Sequence, residues 1–295
     1  MNQQDKRQET LATANVLVAA AFWGANGLFT RALSATGMTA LAIAFFRSFS
    51  AAAIMALVLA VTAPKTFRIA PKDIWMFMGT GIVSIGCFNV FYFYTQTVTT
   101  LSISAVLLYT APFFVMFMSA VIFKERITGR KIAALLIAFC GCLFVTGFIG
   151  NGNVELRPVA VVTGLGSAVC YALYSIFGRV ALSKYPPLTM TFYSLTLSAV
   201  GLAVALATGG DALPHITPYA AAVVAGFGLT TVIAYICYTR GLQVLAPSKA
   251  STLAFAEPMV ATFLGFAVLG EPVTLTSAAG IALIFSGIVI LNRRA

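Results

Sequence analysis

The chain has 295 residues, of which 60% are hydrophobic and only 9% are charged, whereas about 25% of the residues of an ordinary soluble domain are charged. A soluble protein of this composition would have too few polar side chains to cover its core, which excludes a soluble globular protein. The formal net charge of +10 would suggest nucleic acid as the partner of a soluble protein. Here the basic residues lie in short stretches between long apolar segments, which is typical of an integral membrane protein surrounded by a lipid bilayer.

Ten apolar segments are long enough to cross a membrane, since a helix needs about 20 mostly apolar residues to cross about 30 Å of hydrocarbon. The first follows two basic residues, as in a signal peptide, but it is too long for a signal core and is predicted to be a retained span. So little chain remains between the segments that no extramembrane domain is expected. The predicted spans, numbered 1 to 10, are Leu11–Leu33, Thr39–Val61, Asp73–Thr97, Ser102–Phe123, Lys131–Ile149, Val159–Ser183, Leu188–Thr208, Pro218–Leu242, Ser248–Leu269 and Leu275–Leu291.

Lysine and arginine are distributed unequally between the two sides of this predicted bundle. Short cytoplasmic loops of membrane proteins are enriched in these residues. With a cytoplasmic N-terminus, the outer segments hold only Arg31 and Arg157, and we therefore predict that both termini are cytoplasmic. The inner segments hold Lys6, Arg7, Lys65, Arg68, Lys72, Lys124, Arg126, Arg130, Lys131, Arg179, Lys184, Arg240, Lys249, Arg293 and Arg294.

The cysteines and the single histidine do not predict a metal site. All five cysteines lie within apolar segments, and we interpret them as small buried hydrophobic residues. His215 lies between two predicted spans. No metal and no cofactor are therefore expected.

The second half of the chain repeats the first. Each repeat has five spans, and because five is an odd number, the second copy enters the membrane from the opposite side. The loop around Glu125 is strongly basic, whereas the corresponding loop around Glu271 has no basic residue, which agrees with opposite orientations. We predict halves at residues 1–150 and 151–295, arranged as inverted repeats with the substrate site near the midplane where they meet. Pro112 with Pro258, Glu125 with Glu271, Thr128 with Thr274 and Gly141 with Gly287 keep an offset of 146 residues, and Phe29 with Phe177 and Arg31 with Arg179 keep 148.

The Pro-to-Glu spacing of 13 residues in each half, the glycine in the following span and the opening FWGANGLFTR resemble the drug/metabolite transporter superfamily, and within it the EamA-type ten-helix permeases. The resemblance covers nearly the whole chain, and among members it is greatest to the bacterial exporters of aromatic amino acids. It implies that spans 1 to 4 and 6 to 9 surround a central cavity, with spans 5 and 10 outside it. It further implies a secondary transporter of the bacterial inner membrane, which exports amino acids by alternating access without an obligate protein partner.

The repeat offsets also select candidate cavity residues. In spans 1 and 3, an aromatic and an amide side chain lie three residues apart on one helical face, and the offsets map both pairs onto tyrosine pairs in spans 6 and 8. An amide that faced lipid would remain unsatisfied at a cost of about 1–3 kcal/mol, so we predict that these faces line a common cavity. In the alternative interpretation, the asparagines join helices and the tyrosines form interfacial belts. The predicted substrate-binding or cavity residues are Trp23, Asn26, Asn89, Tyr92, Tyr171, Tyr174, Tyr235 and Tyr238.

Two charges and two prolines lie within predicted spans. Arg47 in span 2 and Glu257 in span 9 each cost at least about 2.5–3.5 kcal/mol at a helix centre, so each should face the interior or a partner. For both, a structural ion pair and substrate binding stay open. We favour pairing of Glu257 with Arg47 or Lys249, whereas an isolated Glu257 could couple transport to protons. Pro112 and Pro258 are predicted to kink their helices, either for shape alone or as flexing points.

Other functions fit the sequence less well. A membrane-embedded enzyme would need a cluster of reactive side chains, but the chain has one mid-span carboxylate, no mid-span histidine and no HExxH or GxSxG motif. A channel or heptahelical receptor does not predict five-plus-five inverted repeats. Among carriers, phosphorylated cargoes would need several buried basic residues. A cationic drug stays open, because Glu257 and the aromatic residues would suit it.

Overall fold

The computed structural model describes residues 3–149, 157–210, 216–272 and 274–292. All regular structure in these ranges is helical, and ten segments follow in the predicted order, which confirms the predicted fold class. Nine have the length and hydropathy of a membrane span, and the remaining one, span 5, is a helix of 17 residues. Spans 1 to 10 are Gln3–Ser34, Ala40–Thr62, Pro71–Val98, Leu101–Phe123, Gly129–Val145, Pro158–Ala181, Pro187–Gly209, Pro218–Val244, Pro247–Leu269 and Leu275–Asn292. His215, Arg293, Arg294 and the predicted boundary between residues 150 and 151 lie outside the described residues.

The helix ends follow local signals in the sequence. Five spans begin with proline at the first helical position, where the missing N–H is not needed. Four follow a threonine cap, such as Thr100, whose hydroxyl accepts from the Ile103 N–H at 3.2 Å. Spans 4 and 9 end at repeat-related residues. Lys124 and Gly270 both adopt the left-handed conformation, with φ of 55° and 68°, and glycine adopts it at lower cost.

Spans 5 and 10 pack closely against each other through glycines. A Cβ added at Gly141 would lie 2.7 Å from the Gly280 carbonyl oxygen, and one added at Gly287 would lie 2.8 Å from the Ala134 carbonyl oxygen. Gly141 and Gly287 are 146 residues apart, as are Ala134 and Gly280, so the two contacts are equivalent in the repeat. Residue numbers rise along span 5 as they fall along span 10, so the two helices are antiparallel. Equivalent helices of inverted repeats must be related in this way.

Replacing Gly141 with leucine is expected to destabilise the fold by about 1–3 kcal/mol, the usual cost of overpacking a close interface. The new side chain would collide with the backbone of span 10, which cannot move aside as a flexible side chain could. Thermal unfolding of the purified protein in detergent measures the effect. Gly129→Leu, on the same helix but with nothing within 4 Å of its Cβ position, is the control. Equal stability of the two variants would contradict this packing.

Span 3 contains a π-helix at Gly79–Gly86. The offset between repeats is 147 residues before this segment and 146 after it, so the first half has one extra residue there. A π-helix accommodates one additional residue in a turn, and this accounts for its occurrence in span 3 and not in span 8. Two pairs keep the offset of 147, Pro71 with Pro218 before the π-helix and Gly81 with Gly228 near its start. Two pairs after it, Asn89 with Tyr235 and Tyr92 with Tyr238, keep the offset of 146.

Three spans are interrupted near their centres. Span 1 breaks at Ala25, span 4 at residues 109–110 and span 9 at residues 254–255. The last two breaks are repeat-related, and each precedes a proline, Pro112 or Pro258, that has no N–H to bond the carbonyl four residues earlier. In span 9 the Ala254 carbonyl instead accepts from the Glu257 N–H at 2.9 Å. The interruptions of spans 4 and 9 thus lie at nearly equivalent positions of the two halves, whereas the break in span 1 has no counterpart in span 6.

The outer surface of the bundle is apolar, and its interior is partly polar. Large side chains such as Leu57, Phe117 and Leu275 are exposed, as expected where lipid covers the protein. Inside, small hydroxyl residues bond across helices, for example Ser194 to Thr80 at 2.6 Å. In a membrane such bonds and close contacts of small residues hold helices together, since burial from water does not.

Candidate substrate-binding cavity

A small cavity lies between spans 1, 3, 6 and 8. The Trp23 ring forms much of its wall and meets Tyr171 and Tyr235 edge to face, with centroid distances of 6.5 and 5.6 Å. The cavity has a volume of about 20 Å³, enough for a single water molecule. In this conformation the cavity is therefore too small to hold a metabolite. The lining residues are Trp23, Ser84, Ile85, Phe88, Tyr171, Tyr174, Ser175, Tyr235 and Tyr238.

The four tyrosines of this cavity differ in their hydrogen bonds. The Tyr238 hydroxyl bonds Ser175 at 2.8 Å, and the Tyr174 hydroxyl bonds Thr239 at 3.2 Å, which holds both rings in place. The hydroxyls of Tyr171 and Tyr235 have no hydrogen-bond partner among the described residues. A buried phenol usually finds a partner, so these two groups are available to a ligand.

The cavity lies on the pseudo-two-fold axis that relates the halves. Trp23 and Tyr171, which are in contact, are themselves equivalent at the offset of 148 residues. Tyr109 and Phe255, equivalent at the offset of 146, also face each other, with ring centroids 6.2 Å apart. Equivalent residues can meet only near the axis. This is where inverted-repeat transporters bind their substrates.

A second small cavity adjoins the first between spans 4, 6 and 9. Its volume is also about 20 Å³, and Tyr171 lines both cavities. Glu257 contributes the one carboxylate of its lining. Within the described part of the chain, that carboxylate forms neither an ion pair nor a hydrogen bond. The lining residues are Leu108, Tyr109, Ala111, Pro112, Tyr171, Ser251, Ala254, Phe255 and Glu257.

The structure brings together five of the eight residues selected from the repeat offsets. These five are Trp23, Tyr171, Tyr174, Tyr235 and Tyr238. Tyr92 lies one ring away, stacked on Phe88 at 5.5 Å. Asn26, half-buried where span 1 resumes after its break, is not part of the lining.

Asn89 is buried but does not line the cavity either. Its amide donates to the Ile85 carbonyl at 2.6 Å and accepts from Arg47 Nη2 at 3.2 Å, so its polar atoms are used within the bundle. The offsets did not identify Ser84, Ile85 or Phe88, which lie in or just after the π-helix. The extra residue in that turn changes which side chains face the axis, and no apolar or aromatic periodicity in the sequence signals it.

The favoured ion pair of Glu257 with Arg47 or Lys249 is not formed among the described residues, although Arg47 lies near enough to attract the carboxylate electrostatically. Lys249 pairs with Glu9 at 2.7 Å. Arg47 bonds Asn89 and lies 5.6 Å from the centroid of the Phe227 ring. Lys249 is thus paired with another carboxylate, whereas Arg47 bonds a neutral amide and its buried Nε has no partner among the described residues. The sequence could not show these partners.

Ionic contacts join the two halves at the face that is predicted to be cytoplasmic. The Asp73 carboxylate accepts from Lys184 Nζ and from the Tyr185 hydroxyl, each at 2.9 Å. Asp73 belongs to span 3 of the first half, whereas Lys184 and Tyr185 follow span 6 of the second half. Near the opposite face, Arg31 and Glu271 pair at 3.3 Å with both side chains more than half exposed, and exposed pairs contribute little.

A second link at the same face centres on Glu125, in the loop after span 4. Its carboxylate accepts hydrogen bonds from Ser119, Lys131 and Ser248, the last at the start of span 9. Burial raises the pKa of Glu125, but these three hydrogen bonds outweigh it and hold the pKa below its usual value. The carboxylate is thus ionised at neutral pH, and the link weakens only when the pH falls through this lowered pKa.

Comparison with known proteins identifies the family. The sequence profile of the EamA-like transporter family matches residues 10–147 and, a second time, residues 158–293. The chain belongs to the EamA-like transporter family. An uncharacterized transporter of Archaeoglobus fulgidus is 30% identical over 77% of this chain and 80% of its own length. An uncharacterized transporter of Bacillus subtilis is 27% identical over 94% of this chain and 92% of its own.

Two further similarities bear on cargo and fold. A probable terminal-alkyne amino-acid exporter of Streptantibioticus cattleyicolor is 24% identical to this EamA-like transporter over 92% of the chain and 86% of its own length. A solved crystal structure aligns with a TM-score of 0.83 and 19% identity over 95% of this chain and 96% of its own, which shows the shared fold. The predicted family is confirmed, as is the prediction that the chain is not an enzyme, because the family and the named relatives are transporters.

Proposed function

We propose that this EamA-like transporter exports small metabolites, foremost aromatic and other neutral amino acids, by alternating access. The observation that carries the proposal is the aromatic cavity on the pseudo-two-fold axis, built by spans of both halves. Aromatic walls with few polar groups suit a cargo with a flat apolar part and a small polar end. The amino-acid exporter among the relatives supports the same cargo class.

Transport requires the small cavity to open, since about 20 Å³ cannot hold an amino acid. The breaks in spans 1, 4 and 9 lie beside the two cavities. At these breaks the helical hydrogen bonds are already interrupted, so the flanking helix segments can change direction without breaking many more of them. In this proposal, Pro112 and Pro258 are the flexing points, and the free hydroxyls of Tyr171 and Tyr235 can form hydrogen bonds with polar groups of the cargo.

Orientation and location are part of the proposal. Both termini lie in the cytoplasm of a bacterium, and the chain crosses the inner membrane with residues 1–150 as one repeat and 151–295 as the other. The excess of Lys and Arg on one side supports this orientation. Export then starts from the face at which Asp73 and Glu125 join the halves.

Counterflow in proteoliposomes tests the function. Vesicles containing the purified protein and unlabelled phenylalanine are expected to accumulate labelled phenylalanine transiently, and external tyrosine or leucine should compete. Glucose 6-phosphate should not compete, because the cavity walls carry no basic side chain. Protein-free vesicles are the control. Folded protein that shows no counterflow with any neutral amino acid or amine would contradict the proposal.

Export of cationic drugs is the second candidate, and the unpaired carboxylate of Glu257 favours it. A buried carboxylate beside aromatic rings is a suitable site for an organic cation. A quaternary ammonium compound that competes strongly in the same counterflow assay, while neutral amino acids do not, would favour this candidate.

A further inference from the structure

Glu257 lies where the break in span 9 meets the second cavity. Span 9 is interrupted at residues 254–255, and its second helix, Ala256–Leu269, places Glu257 in its first turn. Tyr109 and Tyr171 line the same small space as the carboxylate. A helix N-terminus alone would not make a binding site, but here a cavity and an unpaired acidic side chain coincide.

No cation among the described residues forms an ion pair with this carboxylate, although Arg47 lies near enough to attract it electrostatically. The two candidates, Arg47 and Lys249, are bonded to Asn89 and Glu9. An ionised carboxylate in a low-dielectric interior is unfavourable unless it has a charged or hydrogen-bonding partner. The carboxylate is therefore stabilised either by taking up a proton or by binding a positively charged group of a ligand.

The two halves differ at this position, where the second half has a carboxylate and the first half only a methyl group. The repeat equivalent of Glu257 is Ala111, and both residues line the same cavity. The single acidic group thus lies close to the pseudo-two-fold axis, near the Tyr109–Phe255 contact. The small side chain of Ala111 occupies little of the space on the other side of the axis.

We propose that Glu257 binds the positively charged ammonium group of the cargo. This inference rests on the proposed function and identifies the chemical group by which the site recognises its substrate. The aromatic faces of Tyr109 and Tyr171 assist through cation–π attraction. The flat apolar part of the cargo extends past Tyr171, which lines both cavities, toward Trp23. The cargo class is then a primary amine or amino acid with an aromatic or similar flat side chain, and its carboxylate is not required.

Three related compounds test this assignment: phenylalanine, 2-phenylethylamine, which lacks the carboxylate, and 3-phenylpropanoate, which lacks the ammonium. Binding is followed by the fluorescence of Trp23 in a Trp75→Phe protein, since the chain has two tryptophans. We expect 2-phenylethylamine to bind about as tightly as phenylalanine, and 3-phenylpropanoate to bind at least about tenfold more weakly. Counterflow competition should give the same order.

Glu257→Gln is expected to weaken binding of both ammonium compounds about tenfold or more and to remove the preference over 3-phenylpropanoate. Glu257→Asp, which keeps the charge, should retain the preference and serves if the glutamine variant does not fold. Glu271→Gln is the control. Glu271 follows the end of span 9, away from both cavities, and its exposed side chain pairs with Arg31.

The failures of the two proposals are distinguishable. Equal affinity of the wild type for all three compounds, or an unchanged preference in folded Glu257→Gln, would overturn the ammonium site and leave the transport function standing. A Glu257→Gln protein that keeps the preference but no longer responds to an imposed pH gradient would assign the carboxylate to a proton instead. A wild type that binds none of the three compounds would contradict both proposals.

Discussion

Replacing Trp23 with leucine is expected to reduce phenylalanine counterflow at least about tenfold while the protein remains folded. The Trp23 ring contacts Tyr171, Tyr235 and Tyr238, with centroid distances between 5.1 and 6.5 Å. An aromatic pair contributes about 0.5–1.5 kcal/mol beyond its buried area, and leucine keeps apolar bulk but loses such contacts with the cargo. Initial rates of counterflow, normalised to the amount of folded protein in the vesicles, measure the effect.

Trp75→Leu is the matched control for this variant. Trp75 is also in a membrane span, but its side chain is about half exposed, and it contacts the Phe177 ring at 6.3 Å, away from the cavity lining. Transport should stay within about twofold of wild type, because a surface change has little effect on a buried site. Equal losses in both variants would indicate a general effect of tryptophan removal and would contradict the assignment of Trp23 to the substrate site.

Replacing Asp73 with alanine is expected to open the face that we propose to be cytoplasmic. The change removes the hydrogen bonds from Lys184 and Tyr185, through which span 3 holds the second half of the chain. Alternating access depends on the balance between a state that is closed at one face and a state that is closed at the other. Weakening the contacts that close one face therefore shifts the population toward the state that is open at that face. Transport should fall several-fold, and the cavity should become more accessible from that face.

A cysteine in place of Ser175, a lining residue, reports the accessibility. The five native cysteines are replaced by alanine, and a membrane-impermeant maleimide is applied to inverted vesicles or to whole cells. Asp73→Ala should speed labelling several-fold in inverted vesicles only, whereas Lys72→Ala, an exposed neighbour on the same turn, should not. Faster labelling in whole cells would mean that this face is periplasmic and that the orientation is reversed.

The lipid-facing and repeated features of this transporter were predictable from the sequence. Each span was recognisable from its own composition, since transfer of a helix into the bilayer depends on the residues within it. The offset of 148 residues also identified Trp23 and Tyr171 as equivalent, and in the structure they face each other across the axis. The offset worked there because symmetry places equivalent residues at equal distances from the axis.

The same offset was less informative for the amides and for span 3. It carries no information on hydrogen-bond partners, so it could not show that Asn89 is occupied by Arg47 and by a backbone carbonyl. It also could not place Ser84 or Phe88 on the cavity wall, since a one-residue insertion and the resulting π-helix break the correspondence locally.

The sequence by itself determined the ten spans, the antiparallel relation of the halves and the aromatic character of the centre, because these depend on local hydropathy and on repeated spacing. Only the tertiary structure decided which charges are satisfied. Lys249 and Glu9 are 240 positions apart in the chain and yet 2.7 Å apart in the fold, and Glu257 forms no ion pair with any residue that the structure describes. Electrostatic pairing depends on distances between atoms that folding alone brings together, and no local pattern of residues encodes those distances.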